Sequence, residues 1–299
     1  LVSFNRSLVS LGVAPVVVAI VGLACFGVMD GLMKAASIAT GPYGAMFWRS
    51  LTGTALMTPL WWWRGSGWPG FRILRLHALR SAVAGVMAVM FFYGLVRTPM
   101  AEAMALSFIA PLIALYLAAV WLGETVSRRA VAGSVLALGG VGVIAAGKFG
   151  GHYEAESVKG LIAILASAVL YAWNLILQRR QAQVAGPEDI AFFQSLFVCS
   201  LLAPGAWLLA PLPPTGAWLW IVGAAVLGAA SLMLLGWAYA RAEAQVLVPM
   251  EYTAFIWAAL VGWVAFGEAL NWRTLGGVAL IVAGCLLASR RGDPHLEPQ

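Results

Sequence analysis

Nine of the polar side chains inside the long apolar runs of this chain are candidates for a site: Asp30, Arg49, Glu102, Ser107, Asn174, Gln178, Gln245, Glu251 and Thr253. In hydrocarbon a charge or an amide is costly unless it faces a partner, a cavity or water. Residues kept there are the first to read for ligand binding, proton handling or gating. Aromatics interleave with them, and Tyr and Trp offer a flat apolar face with one polar handle, which suits a small amphipathic solute. Tyr93, Trp173, Trp237 and Tyr252 lie several residues inside their runs. With Phe108, Asn174, Gln245 and Glu251 they form the candidate substrate-binding set. Trp61-Trp62-Trp63 beside Arg64 reads differently, as anchors at a membrane–water interface.

A second set concerns structure and gating. Asp30 lies about one turn from the end of the first run and Arg49 about two turns into the second. Similar depth and opposite sign predict an ion pair, with Lys34, four residues after Asp30, as the competing partner. Glu124 and Glu268 each stand at the end of a run, shortly before Arg129 and Arg273. They read as symmetric caps or hinge pins. Pro111 and Pro249 each remove a backbone hydrogen bond inside a run, a feature that accompanies cavities and hinges in transporters.

Catalytic chemistry finds little support. Gly142-x-x-x-x-Gly147-Lys148 mimics a phosphate loop, but Phe149 stands where Ser or Thr would meet magnesium. His77, His152 and His295 are too scattered to form a metal site with Cys25, Cys199 and Cys285. The expectation is no catalytic residue, no metal, no cofactor and no enzyme.

The elements that must position these residues follow from composition. Of 299 residues, 62% are hydrophobic and 10% charged, with a mean hydropathy of +0.89. A soluble domain has about 25% charged residues, so lipid must cover much of this surface. Apolar runs near the ~20 residues needed to cross a bilayer fall at 12–33, 42–63, 79–97, 100–122, 130–147, 160–178, 189–210, 217–240, 245–266 and 274–289. They predict an all-α polytopic membrane protein of ten transmembrane helices. The first run is too long for the core of a signal peptide and reads as an anchor.

Loop charges set the orientation. With the N-terminus in the cytoplasm, twelve Lys and Arg residues fall inside and five outside, which favours that orientation with both termini cytoplasmic. The formal charge of +6 is this bias and implies no nucleic-acid partner. Shifting the sequence by 144 places Leu122-Gly123-Glu124 on Phe266-Gly267-Glu268, Arg129 on Arg273, Gly133 on Gly277 and Gly140 on Gly284. The same shift sets Asp30 on Asn174 and Lys34 on Gln178, and a shift of 145 sets Pro42 on Pro187. Residues 1–150 and 151–299 therefore read as two five-helix repeats, inverted because five is odd. Such halves can exchange shapes and open a central site to either face.

The motifs Met29-Asp30-Gly31-Leu32-Met33-Lys34, Phe108-Ile109-Ala110-Pro111-Leu112, Leu122-Gly123-Glu124, Ala238-Tyr239-Ala240-Arg241-Ala242-Glu243-Ala244, Pro249-Met250-Glu251-Tyr252 and Phe266-Gly267-Glu268 together resemble EamA-type members of the drug/metabolite transporter superfamily. The resemblance runs from about residue 13 to 291. It implies a bacterial inner-membrane carrier with a cavity lined by helices of both halves, the candidate aromatics on helices that face it. The expected activity is export of aromatic or neutral amino acids, or similar small metabolites, by alternating access. The alternatives are import of a larger metabolite such as S-adenosylmethionine, or a scaffold that transports nothing. The expected partners are the substrate and the lipid bilayer, in a monomer, with a dimer as the alternative.

Overall fold

The computed structural model describes residues 13–63, 67–110, 112–113, 116–117, 128–149, 155–239, 241 and 250–289. Among them the regular structure is entirely helical: α1 (Val13–Trp63), α2 (Phe71–Leu95), α3 (Met100–Ser107), α4 (Arg128–Phe149), α5 (Ala155–Ala182), α6 (Pro187–Leu209), α7 (Ala217–Tyr239), α8 (Ala254–Phe266) and α9 (Trp272–Ser289). Five are long and apolar enough to cross a bilayer, counting α1 once, and three shorter apolar helical segments lie at 131–144, 254–266 and 272–287.

The unit α1 is two helices. Gly41 has φ 77° and ψ 153°, a backbone state that glycine reaches without strain, and Pro42 then starts the second arm. Packing against α7 gives the direction of each arm. Gly22 lies at Leu234–Leu235 and Leu32 at Gly223, so the first arm runs antiparallel to α7. Arg49 lies over Gly228, so the second arm doubles back along the same helix.

Several boundaries differ from those the apolar runs predict. The first arm continues past 33 to Gly41, because Lys34 finds partners inside the bundle and needs no loop. The helix expected at 79 begins at Phe71, so Arg72, Arg75 and Arg80 lie on α2 instead of in a long basic loop. An arginine in the first turns of a membrane helix can keep its stem in apolar surroundings and its charge near the surface.

The core runs through the bundle from Met29 and Met33 to Leu106, Ile164, Ile221 and Ile281. Its tightest helix contact joins α4 and α9. A Cβ built on Gly140 would lie 2.5 Å from the carbonyl oxygen of Gly277, and one on Gly284 would lie 2.7 Å from the backbone nitrogen of Ala137. Small residues thus let the two backbones touch, the usual basis of helix association in lipid. Gly139, by contrast, has nothing within 4 Å of its added Cβ. Gly140→Ala should therefore destabilise the protein by about 1–3 kcal/mol, while Gly139→Ala should be neutral or mildly stabilising. Thermal unfolding of the two purified variants checks this, and equal midpoints would contradict the close contact.

A candidate substrate site between broken helices

Two helices lose their regular ladder at matching places. At Phe108 and Ile109 the backbone bonds run to Ala105 and Leu106, three residues back, at 3.2 and 3.3 Å. At the start of α8, Thr253, Phe255 and Ile256 bond three residues back in the same way, at 2.9, 3.3 and 2.9 Å. Phe108 and Tyr252 are 144 residues apart, and their rings meet edge to face at 5.2 Å and 88°. Cys285 donates its thiol to the Phe108 carbonyl at 3.4 Å. Unwound backbone inside a membrane bundle is tolerated where it is buried in protein or lines a cavity.

Several buried polar atoms have no hydrogen-bond partner among the described residues. Asp30 is 2% exposed and Asn174 4%, and neither Asp30 Oδ2 nor Asn174 Oδ1 has a hydrogen bond. These two residues are also 144 apart. Trp257 Nε1, Ser37 Oγ and Ser231 Oγ are orphaned as well. An unmatched buried polar atom costs about 1–3 kcal/mol, so five of them point to water or a ligand as the missing partner. Asp30 lies within electrostatic reach of Arg49, and Tyr171 within reach of Asp30, Arg80 and Glu251.

One end of the bundle is latched. The helix α8 closes on Gly267 in the left-handed region, φ 64°. Gly267 N–H bonds to the Trp263 carbonyl and Glu268 N–H to that of Gly262, each at 3.1 Å. This left-handed C-terminal turn folds Glu268 over Gly262, which has no side chain to obstruct it. The carboxylate then pairs with Lys34 and accepts the Met100 N–H at 2.7 Å. That N–H is one of the unpaired donors that open α3, where the helix dipole favours negative charge. Lys34 also donates to the Thr98 carbonyl at 2.9 Å. Three chain segments far apart in sequence are thereby tied together.

The expected pairing of Asp30 with Arg49 is not formed as a contact. Among the described residues the ion pairs are Lys34–Glu268, Arg97–Glu156 and Lys159–Glu156. Arg49 instead bonds Met46 Sδ at 3.6 Å and lies against Gly228. Lys34, the competing partner, reaches Glu268 because the turn at Gly267 brings that carboxylate to it.

The aromatics divide. Tyr252 and Phe108 meet at the helix breaks. Tyr93 carries the Arg97 guanidinium on its ring at 3.7 Å, with Arg97 donating to the Tyr93 carbonyl at 3.0 Å. Trp237 carries Arg241 in the same manner, at 4.3 and 3.2 Å. Both are thus cation–π pairs at helix ends. Trp173 is 37% exposed and shares one stripe of α5 with the exposed Ile162 and Val169. A helix places residues seven and eleven apart on one face, and the alternative face of α5 is the one that carries Asn174. Glu251 is half-buried in the turn before α8. Gln245, Pro111, Pro249 and Glu124 lie outside the described residues.

Two further corrections concern the opposite end. Trp61 is no interface anchor: its ring stacks on Phe192 at 4.8 Å and its Nε1 donates to Asp189 at 2.9 Å. Trp62 and Trp63 keep the exposed position expected of the run. Nearby, a buried cluster escaped the sequence reading. Arg80 donates to Gln181 Oε1 at 2.7 Å, and Gln181 Nε2 meets His77 Nδ1 at 2.5 Å. The available signal was slight, since each residue stands near a predicted loop.

The model of the family described as "EamA-like transporter family" matches residues 13–146 and again 158–290. The chain is 25% identical to the pseudopaline exporter CntI of Pseudomonas aeruginosa, over 92% of this chain and 95% of that one. It is 31% identical to a probable terminal-alkyne amino-acid exporter of Streptantibioticus cattleyicolor over 75% of each chain. With the aromatic amino acid exporter YddG of Ancylobacter novellus it shares 28% identity over 69% of this chain and 74% of the relative. A solved crystal structure shares its fold at a TM-score of 0.61 and 23% identity, covering 92% of this chain and 96% of the other.

Proposed function

The chain belongs to the EamA-like transporter family, and from that membership together with the geometry of the bundle we propose that it is a secondary carrier exporting amino acids or similar zwitterionic metabolites by alternating access. It is a multi-pass membrane transporter, and relatives named above are a pseudopaline exporter and two amino-acid exporters, one of them probable. The finer reading rests on two buried oxygens, Asp30 Oδ2 and Asn174 Oδ1, left without partners among the described residues, and on an aromatic contact at two helix breaks. A polar solute with an aromatic or apolar side chain satisfies both needs at once.

Ten helices in two inverted halves, 1–150 and 151–299, agree with several paired features. The family model matches twice. Tyr93–Arg97 and Trp237–Arg241 repeat one contact at a spacing of 144. Under the same exchange the approach of Gly140 to Gly277 becomes that of Gly284 to Gly133. Residues that touch their own counterparts, as Phe108 and Tyr252 do, belong on the axis relating the halves. In an inverted repeat that axis lies at the bilayer midplane, where carriers of this design bind substrate. With the N-terminus cytoplasmic in a bacterial inner membrane, the Lys34–Glu268 latch closes the outer face.

Counterflow in proteoliposomes against a panel of amino acids and nucleosides tests the reading. Accelerated exchange of aromatic or neutral amino acids is the expected result, reduced at least tenfold in Asp30→Ala. Exchange confined to nucleoside-like solutes would replace the amino-acid reading by the metabolite importer, and no exchange of any solute would remove the carrier.

A further inference from the structure

A small cavity lies where the second arm of α1 crosses α6 under α7. It holds about 20 Å³, room for one or two waters. Arg49, Ser50, Gln194 and Ser195 line it, and no acidic residue does among the described residues. The four α1 residues on its wall, Met46, Arg49, Ser50 and Gly53, are each 145 residues from an α6 residue on the facing wall, Ala191, Gln194, Ser195 and Val198. By the exchange that relates the halves, this cavity too sits on the shared axis. Gly53 allows the crossing to be close, since a Cβ there would lie 2.9 Å from Ser195 Oγ.

Its chemistry is that of an anion receptor. Arg49 has five N–H donors in a planar fork, and among the described residues its one hydrogen bond is to a thioether at 3.6 Å, a weak acceptor. Gly228 gives its guanidinium a flat place to lie, with Nη2 at 3.0 Å from an added Cβ. Ser50 and Ser195 add hydroxyl donors. Gln194 Oε1 is buried without a partner, so its amide is free to turn its donor side to an anion. Asp30 lies within electrostatic reach of Arg49 and is not among the residues that line the cavity.

We propose that this cavity is the subsite for the carboxylate of the transported solute, with Arg49 its charged partner and Gln194, Ser50 and Ser195 its neutral donors. The proposal rests on the amino-acid reading above and assigns the part of the solute that each wall recognises. Arg reads a carboxylate by two parallel hydrogen bonds, which Lys does not reproduce.

The test is counterflow of paired solutes, phenylalanine against phenylalaninamide, in wild type, Arg49→Lys, Arg49→Met and Gln194→Glu. Wild type should prefer the acid at least tenfold. Arg49→Met should lose that preference through the acid alone, and Arg49→Lys should keep a fraction of it. Where Arg49→Met fails to fold, Gln194→Glu keeps the question answerable. A carboxylate built into the wall should pair with Arg49, raise the unfolding temperature and weaken acid exchange about tenfold while sparing the amide. Equal loss of acid and amide in Arg49→Met, or wild-type acid exchange in Gln194→Glu, overturns the subsite and leaves the carrier standing. A wild-type protein that exchanges neither solute, nor any other amino acid, removes the carrier reading and the subsite with it.

Discussion

Lys34→Met should destabilise the protein by about 3–5 kcal/mol, because it leaves the Glu268 carboxylate partly buried without its cation. The Lys34 side chain is 6% exposed and that of Glu268 17%, so residual hydration of the carboxylate places the effect toward the lower figure. The double variant Lys34→Met with Glu268→Gln should recover most of the loss. A neutral amide has no charge to strand, and its oxygen still accepts the Met100 N–H that Glu268 now holds. Thermal unfolding of the purified variants measures both. A double variant as unstable as the single one would mean that lost packing, not the stranded charge, causes the defect. The double variant should also open this end of the bundle more often. Ala101 lines a small cavity beside Glu268. A cysteine there, in a background with Cys25, Cys199 and Cys285 replaced by Ala, should react about tenfold faster with an impermeant thiol reagent once the latch is removed. Unchanged labelling would deny the pair any gating role.

Tyr252→Ala should abolish most transport, and Tyr252→Phe should retain it. The ring of Tyr252 meets Phe108 at the two helix breaks, and an edge-to-face pair contributes about 0.5–1.5 kcal/mol beyond its buried area. If the solute stacks there, truncation removes a central anchor, which in binding sites costs about 2 kcal/mol or more, roughly thirtyfold in affinity. Phenylalanine keeps the ring and loses only the hydroxyl. Phe108→Ala should cost transport too, but it also empties a 7% exposed core position and should lower stability by about 3–5 kcal/mol. Tyr252 is half-buried, so its alanine variant is the cleaner probe. Counterflow with aromatic and aliphatic amino acids, beside unfolding midpoints, separates the two effects. Wild-type exchange in a folded Tyr252→Ala protein would move the site elsewhere. Tyr93→Ala, which removes the seat of Arg97, serves as the contrast, with altered stability and unaltered selectivity.

Much of the candidate site was legible because membrane burial makes a polar residue conspicuous. Asp30, Asn174 and Glu268 stand out in an apolar sequence, and a spacing of 144 relates Asp30 to Asn174. The same spacing also relates Phe108 to Tyr252, Tyr93 to Trp237 and Arg97 to Arg241, and this signal identifies which aromatics repeat. It does not tell which face of the helix each occupies. Trp173 and Asn174 are neighbours in sequence, yet one faces outward and the other is buried, since adjacent helical residues differ by about 100° around the axis.

What the sequence alone determined is the solvent, the helical class and the family. Few charges and long apolar runs leave lipid-facing helices as the way to satisfy every backbone donor, and that constraint acts locally, residue by residue. What tertiary structure decided is who pairs with whom. Lys34 has Asp30 one turn before it, and its partner is instead Glu268, 234 residues away. That choice depends on the left-handed turn at Gly267, the space over Gly262 and the open N–H of Met100. None of these is written beside Lys34 in the chain. A buried charge takes the partner that the whole packing delivers at bonding distance, so its identity is a property of the assembled bundle.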